Sequence, residues 1–361
     1  SASVPEEEEK DAGREMRFDV IVANLPYIAD GEELAPEVMK DPHTALFGGP
    51  EGWEIIERFL ARARDYLNEN GFRPSAIAKS MITGHTSIVG LVVGDVRNPF
   101  YAEVVYTLQQ LLGQKGYMLM AFNSDYDLEK EHMFINQSIQ YKFAGLLLIS
   151  SYGEQLLSQL NEARHAGIAV VLINRNISGY DGSFVSLDNF QAGYIATKHL
   201  LDLGHRRITT ILGPVDSSAS MLRWQGFRQA MLNLGLVPDD LEHLYKGNLT
   251  ISSGRQIAEK FFSGNPFACT GIVIGNDLMA LGFMDYCSAH QIKIPNDLSI
   301  VSIDNISVSG LNRIGLTSID QNISEICSKA AECILSDIVH PEHPVVRREL
   351  VEPRLVVRSS T

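Results

Sequence analysis

The sequence predicts an α/β protein built mainly on two doubly wound parallel sheets, preceded by a smaller N-terminal α/β fragment. From Ile88 onward, short runs of Val, Ile and Leu recur without polar alternation, as strands covered on both faces require. Amphipathic stretches separate them, so each strand is joined to the next by a right-handed helical crossover. With roughly ten such units a single sheet would be too wide, and two sheets facing each other across a cleft fit better.

The strand-like runs are Ile88 to Val93, Met118 to Phe122, Leu146 to Ile149, Ala169 to Ile173, Ile208 to Leu212, Gly271 to Ile274 and Leu298 to Ile303. Helical patterns lie between them at Tyr101 to Gln114, Leu128 to Gln140, Glu154 to His165, Phe190 to Leu203, Ser218 to Leu234, Ser253 to Phe262 and Asp277 to His290. Gly116, Gly167, Gly204 and Gly235 stand where helix C-caps belong.

The bulk composition bounds the function. The 361 residues leave room for two or three domains. A content of 45% hydrophobic and 20% charged residues is that of a folded globular chain. No apolar run suits a membrane helix and the N-terminus is acidic, so neither a membrane partner nor a secretory signal is expected, and the cytoplasm is the expected location. The net charge of −14 argues against a surface that attracts nucleic acid as a whole. Cys269, Cys287, Cys327 and Cys333 lack paired spacing and read as reduced core thiols. None of the ten histidines falls in a metal-binding spacing, and neither a GxSxG elbow nor a Walker-type loop occurs, so no catalytic residue, metal or cofactor is expected.

The first seventy residues depart from the pattern. Ser1 to Arg17 is an acidic leader expected to be disordered. Phe18 to Ile28 reads as a strand running into Asn24-Leu25-Pro26-Tyr27, and a helix is expected from Trp53 to Asn68. This segment, residues 18–71, resembles part of the protein-glutamine N5-methyltransferases that modify release factors, whose signature is Asn-Pro-Pro-Tyr. The resemblance implies that Asn24 would hold a substrate amide while Pro26 and Tyr27 form a rigid platform; Leu25 departs from the motif. No glycine-rich donor loop precedes Phe18 and no closing strands follow Asn70, so the segment reads as a non-catalytic fragment.

A second resemblance covers residues 72–361. Pro74 and Gly84 bracket Ser75-Ala76-Ile77-Ala78-Lys79-Ser80-Met81-Ile82-Thr83 as a short helix, and the strand from Ile88 ends in Asp95-Val96-Arg97-Asn98-Pro99-Phe100-Tyr101. Further on stand Asn276-Asp277-Leu278-Met279-Ala280-Leu281-Gly282 and Asp304-Asn305. These motifs resemble the hinge helix and effector domain of the LacI/GalR family of bacterial transcription regulators. The resemblance implies a two-lobed, periplasmic-binding-protein-like fold, with a hinge helix and linker at 72–86. The N-terminal lobe would comprise 87–186 plus 318–345, and the C-terminal lobe 187–317 plus 346–361.

It also implies a homodimer that senses a small-molecule effector between its lobes and passes closure to operator DNA through the hinge helix, where Ser75, Ala78, Lys79 and Met81 would meet the minor groove. No Ala-x-x-x-Gly-Val-Ser turn between two short helices occurs in the first seventy residues, which argues against operator binding by this chain.

Two-lobed sites gather polar groups at the C-terminal ends of parallel strands. The expected ligand-binding residues are Asn98, Phe100, Tyr101, Asn174, Arg175, Arg223, Asn276, Asp304 and Gln321. Arg223 offers a planar five-donor head, Asn276 a two-way amide, and Asp304 an acceptor for hydroxyls, while Asp277 is expected to cap its helix. Phe100 and Tyr101 suit an effector's CH faces or the core equally. Family positions for purine recognition are held by Ser217, Ala219 and Leu249, so the expected effector is a sugar or sugar derivative. The alternatives are a stand-alone small-molecule binding protein, or a methyltransferase, which would need a donor site the sequence does not show.

Overall fold

The computed structural model describes residues 23, 25–34, 46–69, 80, 84–150, 152–263, 269–341 and 345–361. The chain divides into two compact units, Ser1–Ser75 and Ala76–Thr361.

In the first unit β1 (Ile28–Ala29) pairs in parallel with β2 (Phe47–Gly49), and α1 spans Glu54–Glu69. Of the strand expected over Phe18 to Ile28, the described residues before Ile28 are not strand. Pro26 has no amide to give to a ladder, and pairing starts only beyond it. Gly52 lets the turn after β2 close on this segment, since a Cβ there would stand 2.7 Å from the Tyr27 carbonyl oxygen. Glu54 accepts from the Glu51 amide at 2.8 Å, placing an acid in the first turn of α1 where the helix dipole favours it. The acidic leader lies outside the described residues.

The second unit contains two six-stranded sheets. Its elements run β3 (Ile88–Val93), α2 (Pro99–Gly113), β4 (Met118–Asn123), α3 (Leu128–Gln140), β5 (Gly145–Leu148), α4 (Leu157–His165), β6 (Ala169–Ile173), β7 (Ser183–Leu187), α5 (Asn189–Asp202), β8 (Ile208–Leu212), α6 (Ser218–Leu232), β9 (Tyr245–Lys246), α7 (Ile251–Ser263), β10 (Gly271–Ile274), α8 (Asp277–Ala289), β11 (Ser299–Asp304), β12 (Thr317–Asp320), α9 (Ile323–Val339), β13 (Arg348–Val351) and β14 (Arg354–Val356). One sheet has the order β13-β7-β6-β5-β3-β4, all parallel; the other is β14-β12-β11-β10-β8-β9, parallel except for β14.

Strands β5 and β6 show why the apolar runs do not alternate. Leu146, Leu148 and Val170 pack into one hydrophobic cluster with Ile135 and Leu160, while Leu147 and Val171 pack into another with Leu108 and Ile334. Both faces of the sheet are covered.

The sheet order corrects the lobe boundaries expected from the sequence. Thr317–Asp320, assigned from residue 318 to the N-terminal lobe, pairs with β11 in the second sheet. Arg348–Val351, assigned to the C-terminal lobe, pairs with β7 in the first. The chain therefore changes sheets between Leu187 and Asn189, between Asp320 and Ile323, and between Val351 and Arg354. Hydrogen bonding along a strand, which hydrophobic pattern does not record, sets these points. The α9 helix, absent from the expected elements, packs its buried Ile326, Ala330 and Ile334 in the core beside β5, β6 and β7.

In the second sheet two helix pairs meet backbone to backbone at glycines. A Cβ on Gly193 of α5 would lie 2.0 Å from the Arg223 carbonyl oxygen, and one on Gly226 of α6 would lie 2.0 Å from that of Phe190. Gly254 of α7 and Gly282 of α8 repeat the arrangement against Met279 and Ile251, again at 2.0 Å. These contacts set how deeply α6 and α8 sit, and so where their N-terminal ends stand.

Gly193→Ala should therefore force α5 and α6 apart and destabilise the protein by about 1–3 kcal/mol through overpacking, read as a lowered midpoint in urea unfolding. An unchanged midpoint would show that the helices slide without cost. The four cysteines are free and buried. Burial pushes the thiols of Cys269, Cys287 and Cys327 up to about 12, so all four should resist a thiol reagent such as Ellman's until the chain is unfolded, and rapid native-state labelling would contradict the packing.

Candidate functional site

The site forms where strand ends of the two sheets face each other. On the side of the first sheet, Asn98 caps α2, its Oδ1 accepting the Phe100 amide at 3.0 Å, and Pro99 opens the helix without needing a partner for an N–H. The Phe100 and Tyr101 rings that follow are both buried and meet edge to face with centroids 5.2 Å apart. Both belong to the core cluster and both border the cleft, so packing in the core does not remove either ring from the cavity wall. Asn174 and Arg175 continue from β6, and Arg175 Nη1 donates to the Ser150 carbonyl at 3.0 Å.

From the second sheet, Arg223 donates through Nε to Asn189 Oδ1 and through Nη1 to the Gly275 carbonyl, each at 2.8 Å. These two bonds fix the guanidinium plane with the other donors of its five-donor head directed elsewhere. Asp304 ends β11. Gln321, in the crossover after β12, links the two sides: Asn174 Nδ2 donates to its Oε1 at 2.9 Å, and its Nε2 donates to Asp304 Oδ1 at 2.6 Å.

All of Asn98, Phe100, Tyr101, Asn174, Arg175, Arg223, Asn276, Asp304 and Gln321 border one cavity, together with Ile149, Ser217, Ala219, Ser220 and Leu249. It leaves about 40 Å³ open to water-sized groups, room for ordered water but far less than the roughly 300 Å³ or more of a typical ligand pocket. Anything much larger than water could enter only if the two sides parted.

Backbone strain concentrates here. Asn174 has φ +64, Leu249 +65 and Asp304 +131, conformations that side-chain-bearing residues seldom adopt and that binding sites retain at a cost. The charges are also perturbed. Burial lowers the Arg223 guanidinium from its usual range, opposed by the attraction of Asp304. The Asp304 carboxyl is pushed up to about 7, first by burial and then by the nearby Asp277, against the pull of Arg223 and hydrogen bonds from Gln321 and Asn276.

One expected role falls to the neighbouring residue. Asn276 is the cap of α8, its Oδ1 accepting the Met279 amide at 3.0 Å and its Nδ2 donating to the Leu249 carbonyl at 3.1 Å. Asp277, expected as the cap, is fully buried and turns instead toward Ser302, Ser309, Ser318 and the Ile306 amide. In an extended Ncap conformation only Asn276 can reach back over the first turn.

Sequence reasoning missed Asn189 and Ser220. Asn189 follows directly on β7 and so carried the strand-end signal; Ser220 is one turn into α6 and carried none. Elsewhere, Pro26 is partly buried and Tyr27 is 73% exposed in the first unit, while Asn24 and the hinge positions Ser75, Ala78, Lys79 and Met81 lie outside the described residues. Gly84 bonds through its amide to the Ser80 carbonyl at 2.9 Å with φ +82, the geometry of a glycine ending a helical turn. No group of His, Cys, Asp and Glu able to hold a metal occurs among the described residues, and none of the described helices is long and apolar enough to cross a membrane.

Comparison with known proteins agrees with this architecture. Residues 197–361 match the family model of a periplasmic binding protein-like domain. The chain is 31% identical to the HTH-type transcriptional repressor PurR of Klebsiella pneumoniae over 81% of its own length and 85% of that repressor's. It is 28% identical to the HTH-type transcriptional regulator DegA of Bacillus subtilis, covering 85% of this chain and 90% of DegA. Among solved structures, the transcriptional regulator CelR in complex with cellobiose superimposes with a TM-score of 0.69 at 26% identity, covering 82% of this chain and 89% of CelR. A likeness that runs through most of a repressor's length, on the same pair of facing sheets, makes this chain a member of the LacI/GalR family of transcriptional regulators.

Proposed function

We propose that the second unit is the effector sensor of a cytoplasmic, homodimeric regulator, binding a sugar or sugar derivative in the cleft between its two sheets. The observation that carries this reading is the convergence of nine residues, from strand ends and helix starts of both sides and from the crossover between them, on one strained and buried cavity. A ligand that bonds to Arg223 and Asp304 on one side and to Asn98 and Arg175 on the other gains contacts in the closed arrangement that it lacks in the open one, and that difference is what drives closure. The cellobiose bound to CelR supports a carbohydrate as the class of ligand. The relatives are HTH-type repressors and regulators of transcription, and effector sensing is the part of such a function proposed for this chain. No methyl transfer is assigned to the N-terminal fragment.

Calorimetric titration of the full chain with a panel of pentoses, hexoses and disaccharides tests the proposal. Against whichever sugar binds, Arg223→Ala and Asp304→Ala should each lose about ten- to hundredfold in affinity, equivalent to the roughly 1–3 kcal/mol of a hydrogen-bonded group left unpaired. Parent affinity in both variants would put the site elsewhere.

The position of the Asp304 carboxyl at about 7 adds a pH dependence. Only the carboxylate accepts freely from ligand hydroxyls, so affinity should rise with pH through 7 and level off above it. In the absence of ligand the sign is opposite. The folded state holds a proton that the unfolded chain, with an ordinary carboxyl near 4, has already released; stability contributed by this group falls as pH rises from about 4 to 7. Asp304→Asn should flatten both profiles, and profiles parallel to the parent's would assign the titration to another group.

A further inference from the structure

A second cavity, of about 290 Å³, opens beside the first at the mouth of the cleft. Arg175 borders both, and the start of α6 stands between them, with Ser217 on the inner cavity and Ser218 on the outer. The α6 helix spans fifteen residues, Ser218–Leu232, so its first turn presents unsatisfied amides and the positive end of the helix dipole. Ser217 is its Ncap residue, yet its side chain makes no cap bond. The residue is 2% exposed, and its buried hydroxyl has no hydrogen-bond partner among the described residues.

A buried polar group without a partner is costly, and calls for something to complete it, an ordered water or a ligand. The groups that share these cavities with it include donors, the first-turn amides of α6 and the guanidinium of Arg175, with that of Arg223 on the same inner cavity, while the side-chain oxygens of Asn98, Asn276 and Gln321 already accept bonds within the protein. The one carboxyl on the inner cavity, Asp304, is already bonded by Gln321. The carboxylates bordering the outer cavity, Glu154 and Asp216, are exposed, where water screens them. A place rich in donors at a helix N-terminus, with an orphan hydroxyl and an arginine, calls for an anionic, acceptor-rich group.

We propose that the effector is an acidic sugar derivative whose carboxylate or phosphate is held by Ser217, the first turn of α6 and Arg175, at the junction of the two cavities. This rests on the effector-sensing reading and narrows its ligand class. The polyol part occupies the inner cavity against Arg223 and Asp304, and the anion points toward the outer one.

Matched probes decide it. The full chain is titrated calorimetrically with D-glucose, D-glucuronate and D-glucose 6-phosphate; with D-galactose and D-galacturonate; with D-ribose and D-ribose 5-phosphate; and with inorganic phosphate alone. In at least one set the anionic member should bind tenfold or more tightly than its neutral parent, and which acid does so identifies the group as carboxylate or phosphate. Ser217→Asp keeps a favourable cap residue, and hence the helix, while placing negative charge where the anion would sit, so it should bring the preference to one or below. Neutral sugars binding as tightly as their acids in every set, or a tenfold preference that persists in Ser217→Asp, would overturn the acidic-effector proposal and leave the sensor reading standing. Failure of every acidic probe while a sugar of the earlier panel binds would overturn the acidic-effector proposal alone, and failure of these probes and of that whole panel would overturn both.

Discussion

The candidate site depends on one buried carboxylate. Asp277, at the start of α8, accepts from the Ser302 and Ser318 hydroxyls at Oδ1, and from the Ile306 amide at 2.9 Å and the Ser309 hydroxyl at 2.6 Å at Oδ2. That fills the roughly four acceptor positions a carboxylate has. The donors come from β11, the turn after it, the short helical turn beyond and β12, so a single side chain ties four segments of the second sheet to the N-terminal end of α8. Asp304, held between Ser302 and Ile306, owes its place at the cleft to this anchor, as does the start of the crossover that carries Gln321. Because the group is buried, its hydrogen bonds offset a large desolvation cost, and losing any of them would leave part of that cost uncompensated.

From that anchor the coupling passes to the first sheet through amides. Gln321 uses both ends of its side chain, accepting from Asn174 and donating to Asp304, in a crossover where the chain itself changes sheets. An amide can do this because it is donor and acceptor at once; a carboxylate at position 174 would face the Gln321 oxygen without a proton to offer. The same chain of bonds brings a protonation change at Asp304 within reach of the first sheet. Strain at Asn174, Leu249 and Asp304 lies around it, in backbone that only a well-anchored surrounding can hold.

Arg223 owes its position to a different device. Its carbonyl rests against Gly193, where no side chain would fit, and its guanidinium is levelled by Asn189 and the Gly275 carbonyl. The close α5–α6 packing that buries the core of the second sheet is thus also what presents the arginine to the cleft. The same helix brings its first turn and Ser217 to the cavity, so the α5–α6 contact that stabilises the second sheet also sets what lines the cleft.

Much of this was legible in the sequence by itself. Apolar runs such as Leu146 to Ile149 and Ala169 to Ile173 fixed buried parallel strands, because only a strand covered on both faces lacks polar alternation. Strand ends followed by polar turns pointed to Asn98, Asn174, Asn276, Asp304 and Gln321, since crossover geometry brings such ends to one edge, while Arg223, inside α6, was picked out by its match to the family's arginine. The composition carried the buried state of the cysteines. The tertiary structure alone decided what depends on partners distant in the chain. It gave the cap of α8 to Asn276 and drew Asp277 into the interior, since the serines that bind Asp277 lie up to 41 residues away. It placed Thr317–Asp320 and Arg348–Val351 in their sheets, because a strand's hydrophobicity does not name its neighbour. It left the Ser217 hydroxyl without a partner among the described residues and pushed the Asp304 carboxyl up to about 7, both consequences of how two sheets close over groups whose local sequence is unremarkable in either respect.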